Sequence, residues 1–302
     1  MIEGILVEGL IYSILALGVF VSFRVLDFPD LTVEGSFPAG AAAGAMVASA
    51  LNLSPNHFAK ALAVPAGMLA GFFAGGVAGF ATAAVYHRLK VPALLAGIVT
   101  MTGFYSINLR ILGGKPNLPL IVNNPMLNLA RTFTGGLLPP DLSLLVACAL
   151  VVLLIFGVLV LFFHTEIGIA MGALGDNENA VIQAGIQPGN LRTWGIMLAN
   201  ALPGLSGAMA AAYQGFADVN LGQGVVAAGL ATVMLGELVV RSQFISVQLL
   251  RVILGSIIFR ALMYAARSWG YIAGITPNDL RLLTALLIIA SVAVSRYGRK
   301  RR

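Results

Sequence analysis

The sequence predicts an all-α, polytopic integral membrane protein of about eight or nine transmembrane or re-entrant helices. Three observations predict it. Hydrophobic residues make up 59% of the 302 and charged residues only 10%, with a mean hydropathy of +0.93, outside the ordinary composition of a soluble domain. Apolar runs of about 20 residues, long enough to cross the ~30 Å hydrocarbon layer, recur along the chain. The polar breaks between them are short, so residues 1–302 read as one transmembrane domain with no separate soluble part.

The runs are justified in order. The first, 4–24, carries Glu3 and Glu8 where a secretory signal has Lys or Arg. No small-residue cleavage site follows, so it is expected to stay as a span. The second, 36–52, has Asp27, Asp30 and Glu34 before it and Pro38 near its start, which fits a segment that re-enters or unwinds as well as one that crosses. The third, 60–86, repeats glycine at Gly67, Gly71, Gly75 and Gly79. That strip lets another helix approach closely, within one subunit or between two. The fourth run is 92–112.

Residues 113–140 include Pro116, Pro119, Pro125, Pro139 and Pro140 and cannot form one helix; they read as a loop that meets a partner or lies as a lid. The later runs are 141–163, 190–213, 222–240, 247–266 and 279–296. Pro203-Gly204 interrupts the sixth, three residues after Asn200, which predicts a bend that serves as a hinge, a pathway lining or a purely structural kink.

Basic residues set the orientation. Arg24, Arg88, Lys90, Arg192, Arg241 and the tail from Arg296 to Arg302 gather on one side, leaving Lys60, Lys115, Arg131 and Arg267 on the other. With the first side cytoplasmic, the C-terminus and residues 164–189 are expected on the cytoplasmic side of a bacterial inner membrane and the N-terminus outside. The net charge of +6 is thereby topology, with lipid as the surroundings and no nucleic-acid partner. The single Cys148 excludes an intrachain disulfide and reads as a small buried hydrophobe.

Polar residues at depth are costly and by default face a cavity or a partner. Thr100, Thr102, Asn108 and Asn200, with Pro203, are candidates to line a pathway; hydrogen bonds between helices would use the same residues. Arg110 and Arg260 are read as near enough to span ends to snorkel. Asp218 and Asn220 read as an outer turn or a contact for a delivery protein, and Glu237 has the spacing to pair with Arg241.

Several chemistries have no residues to carry them. Gly113-Gly114-Lys115-Pro116 lacks the glycine and the Ser/Thr of a phosphate loop, His57, His87 and His164 have no metal-ligand spacing, and no serine sits in a nucleophile elbow. The chain is expected to hold no catalytic residue, no metal and no cofactor. Asp27, Asp30, Glu34, Glu166, Asp176, Glu178, Asp218, Glu237 and Asp279 are all expected near span ends or in loops. That leaves no midplane carboxylate for an ion-coupled secondary transporter, which is the alternative reading.

The longest polar interruption in the second half runs from His164 to Ile186. Ile169, Ala173, Ala180 and Ala184 recur at helical spacing around a break at Gly175-Asp176-Asn177, predicting two short helices lying on a membrane surface. An ordinary interhelical loop fits the same pattern. Thr165-x-x-Gly168-x-Ala170-x-x-Ala173-x-x-x-Asn177-x-x-Ala180-x-x-x-Gly185-Ile186 resembles the cytoplasmic coupling segment of ABC-importer permeases of the branched-chain amino acid and ribose type. Leu10 to Gly18 and Val25 to Phe37 resemble the first span and following turn of that family, closest to its tryptophan/tyrosine branch.

The resemblance covers nearly the whole chain and implies a permease subunit that translocates a small solute, an aromatic or branched-chain amino acid. It implies a second copy or a paralogous permease, an extracytoplasmic substrate-binding protein, and a cytoplasmic ATP-binding subunit holding ATP-Mg. In this chain it implies that Thr165, Glu166, Gly168, Ala170, Met171, Asp176, Asn177, Glu178 and Gly185 couple to that subunit. Gly168 and Gly185 would serve close approach or reversal, Asp176 or Asn177 would cap the second helix, and Glu166 and Glu178 would dock. Met171 stands where the family more usually has a basic residue.

Overall fold

The computed structural model describes residues 2–120, 125–134, 138–240 and 242–270, with a few positions between 282 and 293. Among them are eleven α-helices: α1 (Ile2–Phe20), α2 (Val33–Asn52), α3 (His57–Leu89), α4 (Ala93–Ile111), α5 (Pro125–Thr134), α6 (Pro140–Phe163), α7 (Glu166–Asp176), α8 (Glu178–Gln183), α9 (Pro188–Gln214), α10 (Val225–Val239) and α11 (Ile245–Gly270). Seven helical segments among the described residues are long and apolar enough to cross a membrane. The expected ninth span, 279–296, and Arg241 and Asp279 lie outside the described residues, apart from the isolated positions within that span.

Local chemistry sets the helix ends. Asn56 caps α3, its Oδ1 accepting the Phe58 amide at 3.0 Å, and α3 stops at Lys90 in the left-handed region, φ 52°. Pro188 opens α9 at its first turn, where the missing N–H costs nothing, and Gly215 closes it at φ 81°. The 113–140 stretch is part structured. Its residues Asn117–Pro119 (β1) pair antiparallel with Phe216–Asp218 (β2), Leu118 opposite Ala217, and α5 buries Met126 and Ala130.

The centre is a crossing of α2, α3 and α9 on glycine. Gly71 and Gly75 of α3 lie against the backbone of Gly204 and Asn200 on α9, Gly79 lies against Ile196, and Gly67 lies against Gly44 of α2. Gly40 meets Gly204 so closely that a Cβ on either would overlap backbone. The strip thus packs within the chain.

Two interior prolines leave the helices intact. Pro38 removes the amide that would bond the Glu34 carbonyl, and Pro203 the one that would bond Ala199. Each freed carbonyl faces a glycine of another element, Gly222 on Glu34 and Gly18 on Ala199, close enough for Cα–H contacts to the oxygen. The second run is accordingly one unbroken helix, and the irregular backbone lies just before it.

After α1 a π-helical turn, Val21–Val25, carries the chain to Leu26. The chain then turns back: the Phe28 amide donates to the Ser22 carbonyl at 2.9 Å and the Ser22 hydroxyl to the Phe28 carbonyl at 2.6 Å. Residues 26–32 enter the protein interior, and α2 begins at the level of Thr82 and Asn200, well inside α3 and α9. Residues 219–224 run along α2 until the Gly224 amide donates to Glu34 Oε1 at 3.0 Å, so α10 starts beside the first turn of α2.

Candidate functional site

The 164–189 segment forms two helices. Thr165 Oγ1 accepts the Gly168 amide at 3.3 Å and starts α7, while its hydroxyl donates to the Phe162 carbonyl at 2.6 Å. Asn177 starts α8, its Oδ1 accepting the Asn179 and Ala180 amides at 3.1 and 3.3 Å. Asp176 is the last residue of α7 and is exposed, so of the two expected caps only Asn177 acts as one. Gly185 turns the chain away from α8 at φ 79°.

Two glycines seat α7. A Cβ at Gly168 would collide with Phe162 and Phe163 of α6, and one at Gly175 with the Val25 carbonyl at the end of the π-helical turn after α1. Met171 and Leu174 lie between them at 1% and 3% exposure, and Val181 anchors α8. The buried face therefore differs from the expected one. Ile169 is 63% exposed, and Ala180 and Ala184 are exposed too.

Met171, one of the expected coupling residues, is turned into the protein. Ala170 is partly covered, while Glu166 is exposed beside Ile167. Ile167, Ile182 and Ile186 are 55%, 51% and 40% exposed. Glu178 pairs with Arg192 at 3.0 Å, and Arg192 lies over the Tyr86 ring, 5.6 Å from its centroid. Beside them is a hollow of about 650 Å³ lined by Asp27, Phe28, Tyr86, His87, Lys90 and Arg192.

The turn that seats Gly175 leads straight into the interior. Asp30 is fully buried, with Oδ1 accepting the Thr32 amide at 2.8 Å and Oδ2 accepting Asn200 Nδ2 at 2.6 Å. Thr32 and Thr82 hydroxyls meet at 2.6 Å. Gly97 of α4 lies against Asp30, Leu31 and Thr32, and Asn108 Nδ2 donates to the Gly35 carbonyl at 3.1 Å. Asn200 Oδ1, Asn108 Oδ1 and Thr100 Oγ1 are buried without a hydrogen-bond partner.

Of the pathway candidates, Thr100, Asn108 and Asn200 thus gather around the start of α2. Thr102 does not: it is exposed on α4 and bonds its own helix at the Ile98 carbonyl. Pro203 lies against Gly18. Asp30 lies in a loop as expected, but the loop does not keep it out of the interior: the 26–32 connection carries it inward to Asn200 at mid-α9. An Asp two residues before a Thr that opens an apolar run is a helix-start signature, but its depth is not visible locally.

Two other charges sit unexpectedly. Arg260 lies ten residues before Gly270, the last described residue of α11, and pairs with Glu8 at 3.4 Å. Glu237 reaches Arg24 and, at 3.4 Å, Arg251. Asp218 accepts the Asn220 amide at 2.7 Å as the cap of a 3-10 turn, and takes a bond from Asn117. Among the described residues no group of His, Cys, Asp or Glu could hold a metal ion.

The chain is 33% identical over 297 residues to a tyrosine transport system permease protein of Clostridioides difficile (strain R20291), covering 98% of this chain and 92% of that one. It is 27% identical over 290 residues to an uncharacterized protein of Rickettsia prowazekii (strain Madrid E), covering 95% and 94%. No solved structure matches it. The family described as "Branched-chain amino acid transport system / permease component" matches residues 1–292, nearly everything from α1 to beyond α11, and this multi-pass membrane protein belongs to that family.

Proposed function

We propose that the chain is the membrane subunit of an ATP-driven ABC importer in a bacterial inner membrane, moving an aromatic or branched-chain amino acid. Two copies, or this chain and a paralogue, enclose the pathway. A binding protein delivers the solute on the outer side, and a cytoplasmic subunit hydrolyses ATP-Mg. The segment α7–α8 docks that subunit.

One observation carries this reading. Ile167, Ile169, Ile182 and Ile186 stand exposed on a segment whose inner face is held rigidly by Gly168, Gly175 and Met171. Isoleucines presented on a fixed scaffold suit a partner groove. Displacement of α7 reaches Val25 and Leu26 through Gly175, then Asp30, and through its bond to Asn200 the middle of α9. Motion at the docking surface is thereby tied to the centre of the bundle.

A second reading has an observation of its own. The buried Asp30 is a carboxylate at the depth where an ion-coupled secondary transporter would carry a proton or sodium ion. A mild-detergent pull-down from the native membrane separates the two. Wild type is expected to retain an ATP-binding subunit, and Ile169→Glu with Ile182→Glu is expected to lose it while eluting as a folded protein. Absence of any ATPase, together with uptake abolished by a protonophore and unaffected by ATP depletion, would transfer the assignment to the secondary transporter.

A further inference from the structure

A pathway enclosed by two copies is lined by residues that one copy leaves exposed, because whatever the chain buries within itself is beyond the solute's reach. The spans differ in what they expose. More than a turn from their ends, α3 and α6 expose only apolar side chains, among them Phe73 and Val77 on α3 and Leu150, Leu153 and Leu154 on α6. Helix α4 does not. Among the described residues, Thr102 and Ser106 are the only serine or threonine residues exposed more than a turn inside a candidate span. Their spacing of four puts them on one face, and Arg110 continues that row in the last turn of α4. Tyr105 beside them is 47% exposed, and Gly103 has nothing within 4 Å of where a Cβ would stand.

Composition and exposure disagree along the whole helix. The most apolar stretch of α4 has a mean hydropathy of 1.3, equal to that of α9, yet only 28% of it is buried inside the molecule, equal to that of α6. Protein covers α9, and the leucine-rich α6 suits lipid. Part of the low hydropathy of α4 comes from the buried Thr100 and Asn108; the free face adds Thr102, Gly103, Ser106 and Arg110. Thr102 satisfies its hydroxyl at the Ile98 carbonyl, 2.8 Å away, as such residues do on membrane helices. Polar groups at depth nevertheless face a partner or a water-filled space by default. The middle of α4 carries them on the side that the chain itself leaves open.

We infer that the free face of α4 is a wall of the solute pathway, wet during part of the transport cycle and opposed across the pathway by the other permease subunit. Thr102, Tyr105 and Ser106 offer hydroxyls to a polar solute along the helix, and Arg110 stands at one mouth. Thr100, Asn108 and Asn200 then have a different role from Thr102: they lie behind the wall, where Asn108 holds α4 to the Gly35 carbonyl. The wall is tied to the docking segment as well. Gly97, on the covered side of α4, lies against Asp30, Leu31 and Thr32, the end of a connection whose start, at Val25 and Leu26, Gly175 of α7 touches. This inference rests on the transport reading above and adds which surface of the chain the solute meets.

Thiol labelling in native membranes tests the wall. Cys148, buried and the only cysteine of the chain, is replaced by alanine. Thr102→Cys, Ser106→Cys, Leu153→Cys and Leu154→Cys are then made singly, all at positions that one chain exposes. Each variant must elute and melt as its Cys148→Ala parent does. The probe is 2-(trimethylammonio)ethyl methanethiosulfonate, a charged reagent that stays in water, applied to permeabilised membranes with and without ATP-Mg. The thiolate is the reacting species, and apolar surroundings suppress it. A thiol pKa one unit higher leaves about tenfold less thiolate, so Thr102→Cys and Ser106→Cys are expected to react at least about tenfold faster than Leu153→Cys and Leu154→Cys in one of the two states.

Labelling of Thr102→Cys and Ser106→Cys as slow as that of the two leucine positions, in both states, would overturn the assignment. Oxidation with copper phenanthroline then says what covers the face instead. A disulfide between two copies of Thr102→Cys without labelling identifies a dry contact between subunits, and neither reaction identifies lipid. Retention of the ATPase in the pull-down alongside slow labelling leaves the importer reading intact and removes only this wall. Fast labelling in a chain that retains no ATPase keeps the wall and removes the importer.

Discussion

The helices α6 and α9 invert the rule learned from soluble proteins. In α6 the most apolar stretch has a mean hydropathy of 3.4 and only 28% of it is buried inside the molecule, whereas in α9 the figures are 1.3 and 89%. Lipid is as apolar as leucine, so the hydrophobic effect does not select which helix goes inside. Close backbone approach and hydrogen bonding do. Helix α9 has glycine, alanine and serine for the first and Asn200 and Ser206 for the second; α6 has Leu153, Leu154 and Leu161 facing out at 67%, 68% and 71% exposure.

Substitutions at three places test that contrast, in falling order of effect. Gly204→Leu pushes a side chain into the backbone of Gly71 and Gly75, which cannot move aside as a side chain could. It is expected to cost roughly 3 kcal/mol or more and to abolish a monodisperse peak on size exclusion. A folded, wild-type-like Gly204→Leu would break the claim that backbone contact holds the centre.

Asn200→Leu keeps bulk and raises hydropathy, so a hydrophobic account of α9 predicts a gain. The hydrogen-bond account predicts a loss of about 1–3 kcal/mol, the usual consequence of leaving a buried polar group without its partner, here the Asp30 carboxyl. Thermal melts in detergent decide the sign. Asn200→Asp, which places a second carboxylate 2.6 Å from the first in the same geometry, should be worse still.

The smallest effect belongs to α6. Leu153→Ala with Leu154→Ala removes side chains that exchange lipid for lipid, and melts should shift by no more than about 0.5 kcal/mol. A larger loss would sharpen the comparison, because it would identify this face as covered by a second copy of the chain.

The segment α7–α8 shows how far residue patterns carry. Its two helices, the Thr165 and Asn177 caps and the turn at Gly185 are all local signals, set by side-chain oxygens within three residues of the amides they accept and by a φ that suits glycine. Its facing was not legible. Periodicity marks Ile169, Ala173, Ala180 and Ala184, yet the contact surface is Gly168, Met171, Leu174 and Gly175, because the seat is made by backbone touching α6 and the turn after α1. Glycine has no hydropathy to register in a pattern.

Depth divides the candidate pathway residues in the same way. Asn108 and Asn200 stood out as polar residues in apolar runs, and both are buried; Thr102, alike in sequence, faces outward and bonds its own helix. Asp30 and Arg260 were read as close to membrane surfaces from their distance to the ends of apolar runs. Asp30 is buried, since residues 26–32 fold inward, and Arg260 pairs with Glu8 of α1.

By itself, then, the amino-acid sequence determined the class of molecule, the number and order of most helices, and the helix starts and stops, because hydropathy, proline, glycine and capping residues act within a few residues of themselves. Only the tertiary structure decided which helices form the centre, which face of α7 is free, and which charges meet. Those outcomes rest on contacts such as Gly40 with Gly204, Asp30 with Asn200 and Glu8 with Arg260, between residues more than a hundred positions apart. In a membrane no gradient of hydrophobicity along the chain announces them.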